Sequence, residues 1–433
     1  MVLGIAALIA FGAPVRAEIA IQEVSTPSGI TAWLVEEHSL PFTALEIRFR
    51  GGTSLDRQGA RGAVNMMMGL LEEGAADLDA RGFAEARESL AASFGFDAHG
   101  DAVTVSAQFL TENRDDAVAL LHAALTQPRF DADAIERVRG QILSHLSSRA
   151  TDPNAIAGNT WSKLAYGDHP YGSYDAGTED SVGALTRDDL MAALADSIAM
   201  DRIYVAAVGD ITATDLSALL EALFDGLPAT GAPFPERADF ALAGGTTVVP
   251  FDTPQSVARF GQIGIAREDP DFFAAYVVNE ILGGLGSNSR LMEEVREARG
   301  LTYGIGSYLI PADLSETIMG HFSSQNGSMG EAIEVVCAEW KKIAEDGITQ
   351  DELTAAQTYL TGSYPLRFDG NATIANIMVS MQMEGLPVDY IATRNDRVMA
   401  VTLEEANRVA ARLYDPDALH FVVVGQPEGV VAN

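Results

Sequence analysis

The chain has 433 residues, 47% of them apolar and 21% charged. That composition is globular, excludes global disorder and is too long for one ordinary domain. A formal charge of −33 excludes the basic footprint that a nucleic-acid partner requires, and a single cysteine, Cys337, excludes an intrachain disulfide and reads as a buried structural thiol in an apolar helix.

The N-terminus opens with an apolar run, residues 2–11, followed by the small-residue stretch Gly12 to Ala17. This is the pattern of a secretory signal peptide cut after Ala17, and it is too short to cross a bilayer. Residues 1–17 are therefore expected to be a leader on an exported protein, periplasmic or otherwise secreted.

Alternation of apolar residues predicts strands from Val35 to Arg50 and from Val103 to Leu110. Helical periodicity marks 114–126, 131–149 and 186–196. Pro and Gly collect from Pro228 to Pro235 and again up to Gly245, which is linker chemistry and sets a boundary at 229–245. Beyond it, strands are predicted from Gln255 to Ala266, Thr317 to Ser323 and His420 to Val424. Helices are predicted over 271–283, 328–345 and 349–363.

The two segments repeat one another. Asp201 to Asp210 matches Asp417 to Gln426, and Leu185 to Leu190 matches Val401 to Ala406, both at an offset of 216 residues. In the second pair, Thr186 and Thr402 each precede a helix with an acidic third residue, the arrangement of a capping box. Asp116 to Leu121 likewise matches Glu331 to Val336, and Asp133 matches Asp351. Four matches in the same order indicate two homologous domains, 18–228 and 246–433. The strand and helix order is not a strict β-α-β alternation, so an α+β class with antiparallel-rich sheets is expected.

Two constellations carry the chemistry. In the first half, Gly51-Gly52-Thr53-Ser54-Leu55-Asp56 is a loop, and Gly62-Ala63-Val64 opens an apolar helix with Asn65, Met68 and Gly69 one turn apart. A catalytic zinc needs three protein ligands and an open position. Of the seven histidines none forms an i, i+3 or i, i+4 pair, and Met66, Met67 and Met68 point in different directions and read as core. In the second half, Gly283-Gly284-Leu285-Gly286-Ser287 is a glycine-rich loop between helices. It lacks the features of a phosphate cradle. After it come Arg296 and Tyr303 in R-x-x-x-G-L-x-Y. An arginine and a phenol can donate hydrogen bonds to a peptide carbonyl and its developing oxyanion. Taken alone, such an arginine also suits a helix end and such a tyrosine the start of a strand.

Together these segments resemble the inverted-zincin peptidases: the pitrilysin, insulin-degrading-enzyme and mitochondrial-processing-peptidase family. The resemblance extends over residues 18 to 430. It implies two α/β-roll domains facing each other like a clam shell. In that family the first-half helix carries H-x-x-E-H, and its ligand and base positions fall here on Asn65, Met68 and Gly69. The third ligand, counted back from Asp152-Pro153, falls on or beside His145, and no Glu lies between 141 and 149. Hence no metal is expected in this chain. The resemblance implies that zinc belongs to a homologous partner subunit, to whose site Arg296 and Tyr303 would be contributed. Gly283, Gly284, Gly286 and Ser287 would shape the entrance or hold a peptide substrate. A stand-alone peptide-binding protein and a structural scaffold of the same fold are the other readings.

Overall fold

A computed structural model describes residues 19–432 apart from Leu285 and Ser287. The leader read in residues 1–17 and the loop serine Ser287 lie outside the described residues. Two mixed sheets organise the chain. The first runs, edge to edge, Ser93–Ala98, Ala102–Leu110, Phe42–Arg50, Ile203–Gly209, Thr31–Glu36 and Gln22–Ser25. The second runs Ile305–Pro311, Glu316–Gln325, Gln255–Ile263, His420–Gly425 and Gly245–Pro250. The first five strands of the one correspond in order to the five of the other, so the repeat legible in the sequence is a repeat of architecture. Each sheet has one parallel pair, Thr31–Glu36 on Ile203–Gly209 and Gly245–Pro250 on His420–Gly425. Its other pairings are antiparallel. The α+β class and the two facing rolls follow.

Local chemistry sets the elements. Thr186 and Thr402 form capping boxes with Asp189 and Glu405, opening the helices Arg187–Ser197 and Leu403–Leu413. The stretch read as one strand from Val35 to Arg50 is in fact two, Thr31–Glu36 and Phe42–Arg50. Pro41 has no N–H to give a ladder, and the turn before it is held by His38, whose ring nitrogens lie 2.8 Å from Asp210 Oδ1 and 3.1 Å from Glu36 Oε2. Residues 229–244 hold no helix or strand, but they are anchored. Phe234 lies under the Arg202 guanidinium, Phe240 packs on Trp161, and the Ala241 N–H bonds the carbonyl of Ala165 at 2.8 Å.

The sequence reading assigned no helix to Pro153–Tyr166 or to Asn371–Met383, and these two are exchanged between the halves. Pro153–Tyr166 lies on the second sheet, where Ala157, Trp161 and Ala165 pack with Val257, Met319 and Val422. Asn371–Met383 lies on the first, where Met378 and Val379 pack with Trp33, Ala206 and Val208. Trp161 and Met378 are almost wholly buried, each contributing about 2–3 kcal/mol through burial. Each half thus closes the open face of the other.

Candidate functional site

In the first half, Asn65, Met68 and Gly69 lie on the helix Ala63–Leu70, behind a loop fixed by its own packing. Gly52 adopts φ +45°, and a Cβ there would sit 2.0 Å from the carbonyl oxygen of His99, so only glycine lets the loop meet the hairpin. Asp56 is buried and accepts from the N–H groups of Gly62 and Val64, both at 2.8 Å, and from Arg61 at 3.0 Å. It thereby caps the helix Ala63–Leu70, whose own N-cap residue, Gly62, has no side chain to do so. Loop and cap therefore have duties in the fold itself.

The positions themselves do not fit zinc. Met66, Met67 and Met68 are all fully buried in the first core, so the general-base position is core filling. Gly69 is exposed, and a Cβ there would reach only Val138 Cγ1 at 3.6 Å. Asn65, one turn back, is half-buried. His145 is exposed on the helix Ala132–Arg149 and engaged with the Tyr174 hydroxyl at 3.1 Å. Among the described residues no group of three or more His, Cys, Asp or Glu could hold a metal ion.

In the second half a cleft of 980 Å³ opens between the helix Phe272–Gly283, the edge strand Ile305–Pro311 and the exchanged helix Asn371–Met383. Its wall is aromatic. Tyr276, Tyr308, Tyr359, Tyr364 and Tyr390 line it, five of the eleven tyrosines in the chain, with Phe272 and Phe273. Two arginines hold the aromatic faces in place: Arg267 lies 4.2 Å from the ring centre of Phe272 and donates to the Tyr390 hydroxyl at 2.8 Å, and Arg394 lies 4.5 Å from that of Tyr364. Burial pushes the Glu280 carboxyl up, with the charges of Arg367 and Arg394 opposing it. The strand Ile305–Pro311 pairs on one side only, with Glu316–Gln325. Part of its other side is met by Asn279, which donates to the Ser307 carbonyl at 3.0 Å.

Gly283, Gly284 and Gly286 line this cleft. Gly283 and Gly284 have a steric reason of their own. A Cβ at Gly283 would lie 2.4 Å from Ser307 Oγ and 2.7 Å from its nitrogen, and one at Gly284 would lie 2.4 Å from Glu280 Oε2. The helix end therefore rests directly on the edge strand. Gly286 has φ +149° and open space around it. Arg290, next in the motif, is anchored bidentately to Glu352 at 2.7 and 2.9 Å and to the Gly347 carbonyl. Burial alone would raise the Glu352 carboxyl, but its bonds from Arg290 and the Thr349 N–H bring it down to about 2.

Arg296 and Tyr303 stand outside the cleft lining, beyond Met292 and Gly304 at its rim. Arg296 sits in a π-helical turn, Met292–Glu297, a form often found at functional sites. Its exposed guanidinium is 3.1 Å from Glu297. Tyr303 is 89% exposed, and among the described residues nothing hydrogen-bonds its hydroxyl. Its backbone is pinned from both sides. Thr302 Oγ1 donates to the carbonyls of Gly304 and Ser323, and Ser324 Oγ donates to that of Leu301 at 2.6 Å. The aromatic wall escaped sequence reasoning, because its five tyrosines are scattered over five separate elements and no spacing signals their convergence.

Residues 184–360 match the family described as Peptidase M16 inactive domain. The non-peptidase homolog YmxG of Helicobacter pylori is 28% identical over 393 residues, 90% of either chain. The crystal structure of a peptidase M16 inactive domain from Pseudomonas fluorescens superposes with a TM-score of 0.88 at 30% identity, over 95% of this chain and 99% of the other. A protease from Helicobacter pylori shares the fold, with a TM-score of 0.84 at 16% identity over 94% of this chain and 100% of its own. With a near-complete match to an inactive domain at 30% identity, this chain belongs to the peptidase M16 inactive-domain family.

Proposed function

We propose that this chain is the non-catalytic, substrate-binding subunit of a two-chain zinc peptidase, exported to the periplasm or beyond. The observation that carries this reading is Tyr303. A phenol left 89% exposed on a backbone held by three hydrogen bonds is presented to something outside the chain. Arg296, on the preceding turn, supplies a second donor.

In this reading a homologous partner holds the metal and makes the nucleophile. Arg296 and Tyr303 donate hydrogen bonds to the carbonyl of the peptide bond offered at the partner's centre. The aromatic cleft takes up a flanking part of the peptide, with the edge strand Ile305–Pro311 as a template for strand addition and the glycines at 283, 284 and 286 forming its lip. Tyrosine-rich walls suit this task, since they give large contact areas at small entropic cost.

The test is recovery of the tagged chain from its native host. A stoichiometric partner bearing H-x-x-E-H, with zinc and peptidase activity present only in the pair, is the expected result. Recovery of this chain alone, or of peptidase activity without a partner, would overturn the proposal.

A further inference from the structure

A second cavity, of 730 Å³, lies at the seam between the two sheets, beside the exchanged helix Pro153–Tyr166. Arg48 and Thr104 reach it from the first sheet and Arg259 from the second, with Arg149, Gly158 and Trp161 between them. The chain carries 61 acidic against 28 basic residues, so an arginine with no carboxylate partner is unusual here. Yet among the described residues none of Arg48, Arg149 and Arg259 has a carboxylate within 4.0 Å.

The acids of the same cavity are already engaged. Asp152 accepts from the N–H of Asn154 at 2.9 Å and Asp175 from Thr53 and Arg61 at 2.9 and 3.2 Å. Asp101 accepts from the Tyr171 hydroxyl and from the Asp313 N–H. Glu46, two residues from Arg48, is held by Ser106 at 2.8 Å. The donors are not so engaged. Among the described residues, Arg48 Nε, Arg149 Nε and Trp161 Nε1 are buried and have no hydrogen-bond acceptor. All three are groups that can only donate, and buried donors of this kind are ordinarily satisfied. Arg48 gives one bond, to Asn376 Oδ1 at 2.7 Å. Arg149 lies flat on Tyr174 at 3.8 Å and gives one bond, to Asn159 Oδ1 at 3.4 Å.

The seat of Arg259 is built into the helix opposite. A Cβ at Gly158 would lie 3.0 Å from Arg259 Nη1, and glycine at this interior position costs the helix about as much as any residue but proline. Burial, together with the charge of Arg259, holds the imidazole of His321 below its usual range.

We infer that the cavity walled by Arg48, Arg149, Arg259 and Trp161 is a binding site for a small oxyanion ligand, one whose carboxylate or phosphate oxygens accept from guanidiniums that no carboxylate of the chain pairs among the described residues. Its volume suits a ligand of a few linked groups more than a lone inorganic ion. The site stands apart from the peptide cleft and does not depend on the proposed subunit role.

Isothermal titration of the full chain with citrate, with the tripeptide Glu-Glu-Glu and with inorganic phosphate, at low ionic strength, tests it. Saturable one-to-one binding of at least one probe is expected. Arg259→Gln weakens it about tenfold, the effect of one charge-assisted hydrogen bond. Gly158→Ala leaves every charge in place and favours the helix, so it weakens binding while the melting temperature holds or rises. Arg81→Gln, on the exposed surface, leaves binding unchanged. Preference for citrate and the tripeptide assigns a carboxylate ligand, and preference for phosphate assigns a phosphorylated one. No saturation by any probe, or equal losses in Arg259→Gln and Arg81→Gln, would overturn the site.

Discussion

Gln382, on a helix contributed by the second half, donates to the backbone carbonyl of Val205 in the central region of the first half's sheet at 2.7 Å. The bond belongs to the reciprocal exchange in which each half supplies the cover of the other's sheet. Unfolding one half strips the other of its cover. A single urea transition is therefore expected, reported identically by tryptophan fluorescence and far-ultraviolet dichroism. Trp161→Ala should lower the stability of the whole by about 3–5 kcal/mol. Two separated transitions, only one of them shifted by the substitution, would contradict the interlock.

Positions 68 and 69 of the helix Ala63–Leu70 differ in burial. Gly69 is exposed with room for a side chain, so Gly69→His should change stability by no more than about 0.5 kcal/mol. Met68 is 1% exposed, and Met68→Glu forces a carboxylate into the core, at a cost of several kcal/mol. Thermal melts of the two variants should differ accordingly. Equal effects would mean that the core has not closed over the old general-base position.

Tyr303 offers a clean separation of function from fold. Tyr303→Phe removes one exposed hydroxyl that bonds nothing among the described residues, so the melting temperature stays where it is. In the reconstituted pair, turnover is expected to fall by about 10², the effect of losing one oxyanion donor. An unchanged kcat removes the tyrosine from the reaction.

Two carboxylates respond to acid in opposite senses. Asp313 lies across the seam from Arg50, at 3.3 Å. Burial pushes it up to about 6, against the pull of Arg50 and with help from Asp101. A carboxyl raised in the folded state binds its proton more tightly there than in the unfolded chain, so its charged form destabilises above pH 6 and the penalty fades as pH falls toward 4. Glu352 is depressed to about 2. Its contribution is complete above the unfolded value near 4.3 and is lost as pH falls from there toward 2. Asp313→Asn should thus stabilise the chain at pH 7 and flatten its profile between pH 4 and 7. Glu352→Gln should flatten the profile below pH 4.5. Melting temperature against pH checks both.

The parts of the fold fixed by local chemistry were legible in the sequence. The capping threonines at 186 and 402, and the helices near 114–126 and 328–345, depend on neighbours a few residues away, and spacing records them. The exchanged helices were not legible. Pro153–Tyr166 packs against strands about a hundred residues and more ahead of it, and its small residues, Ala157, Gly158 and Ala165, give little amphipathic contrast. The loop ahead of positions 65, 68 and 69 was legible for local reasons too: Gly52 must be glycine and Asp56 must cap. The arginine-lined cavity is assembled from both halves and the aromatic cleft from scattered elements of the second, so no single stretch of sequence contains either.

The exchange has a mechanical consequence as well. A clam shell opens by a hinge between its valves, but here each valve is riveted to the other by a helix bedded in its face. Swinging them apart would expose Trp161 and Met378 to water. The chain therefore moves as one plate, and the gate of any chamber it helps to form must swing at the joint with its neighbour.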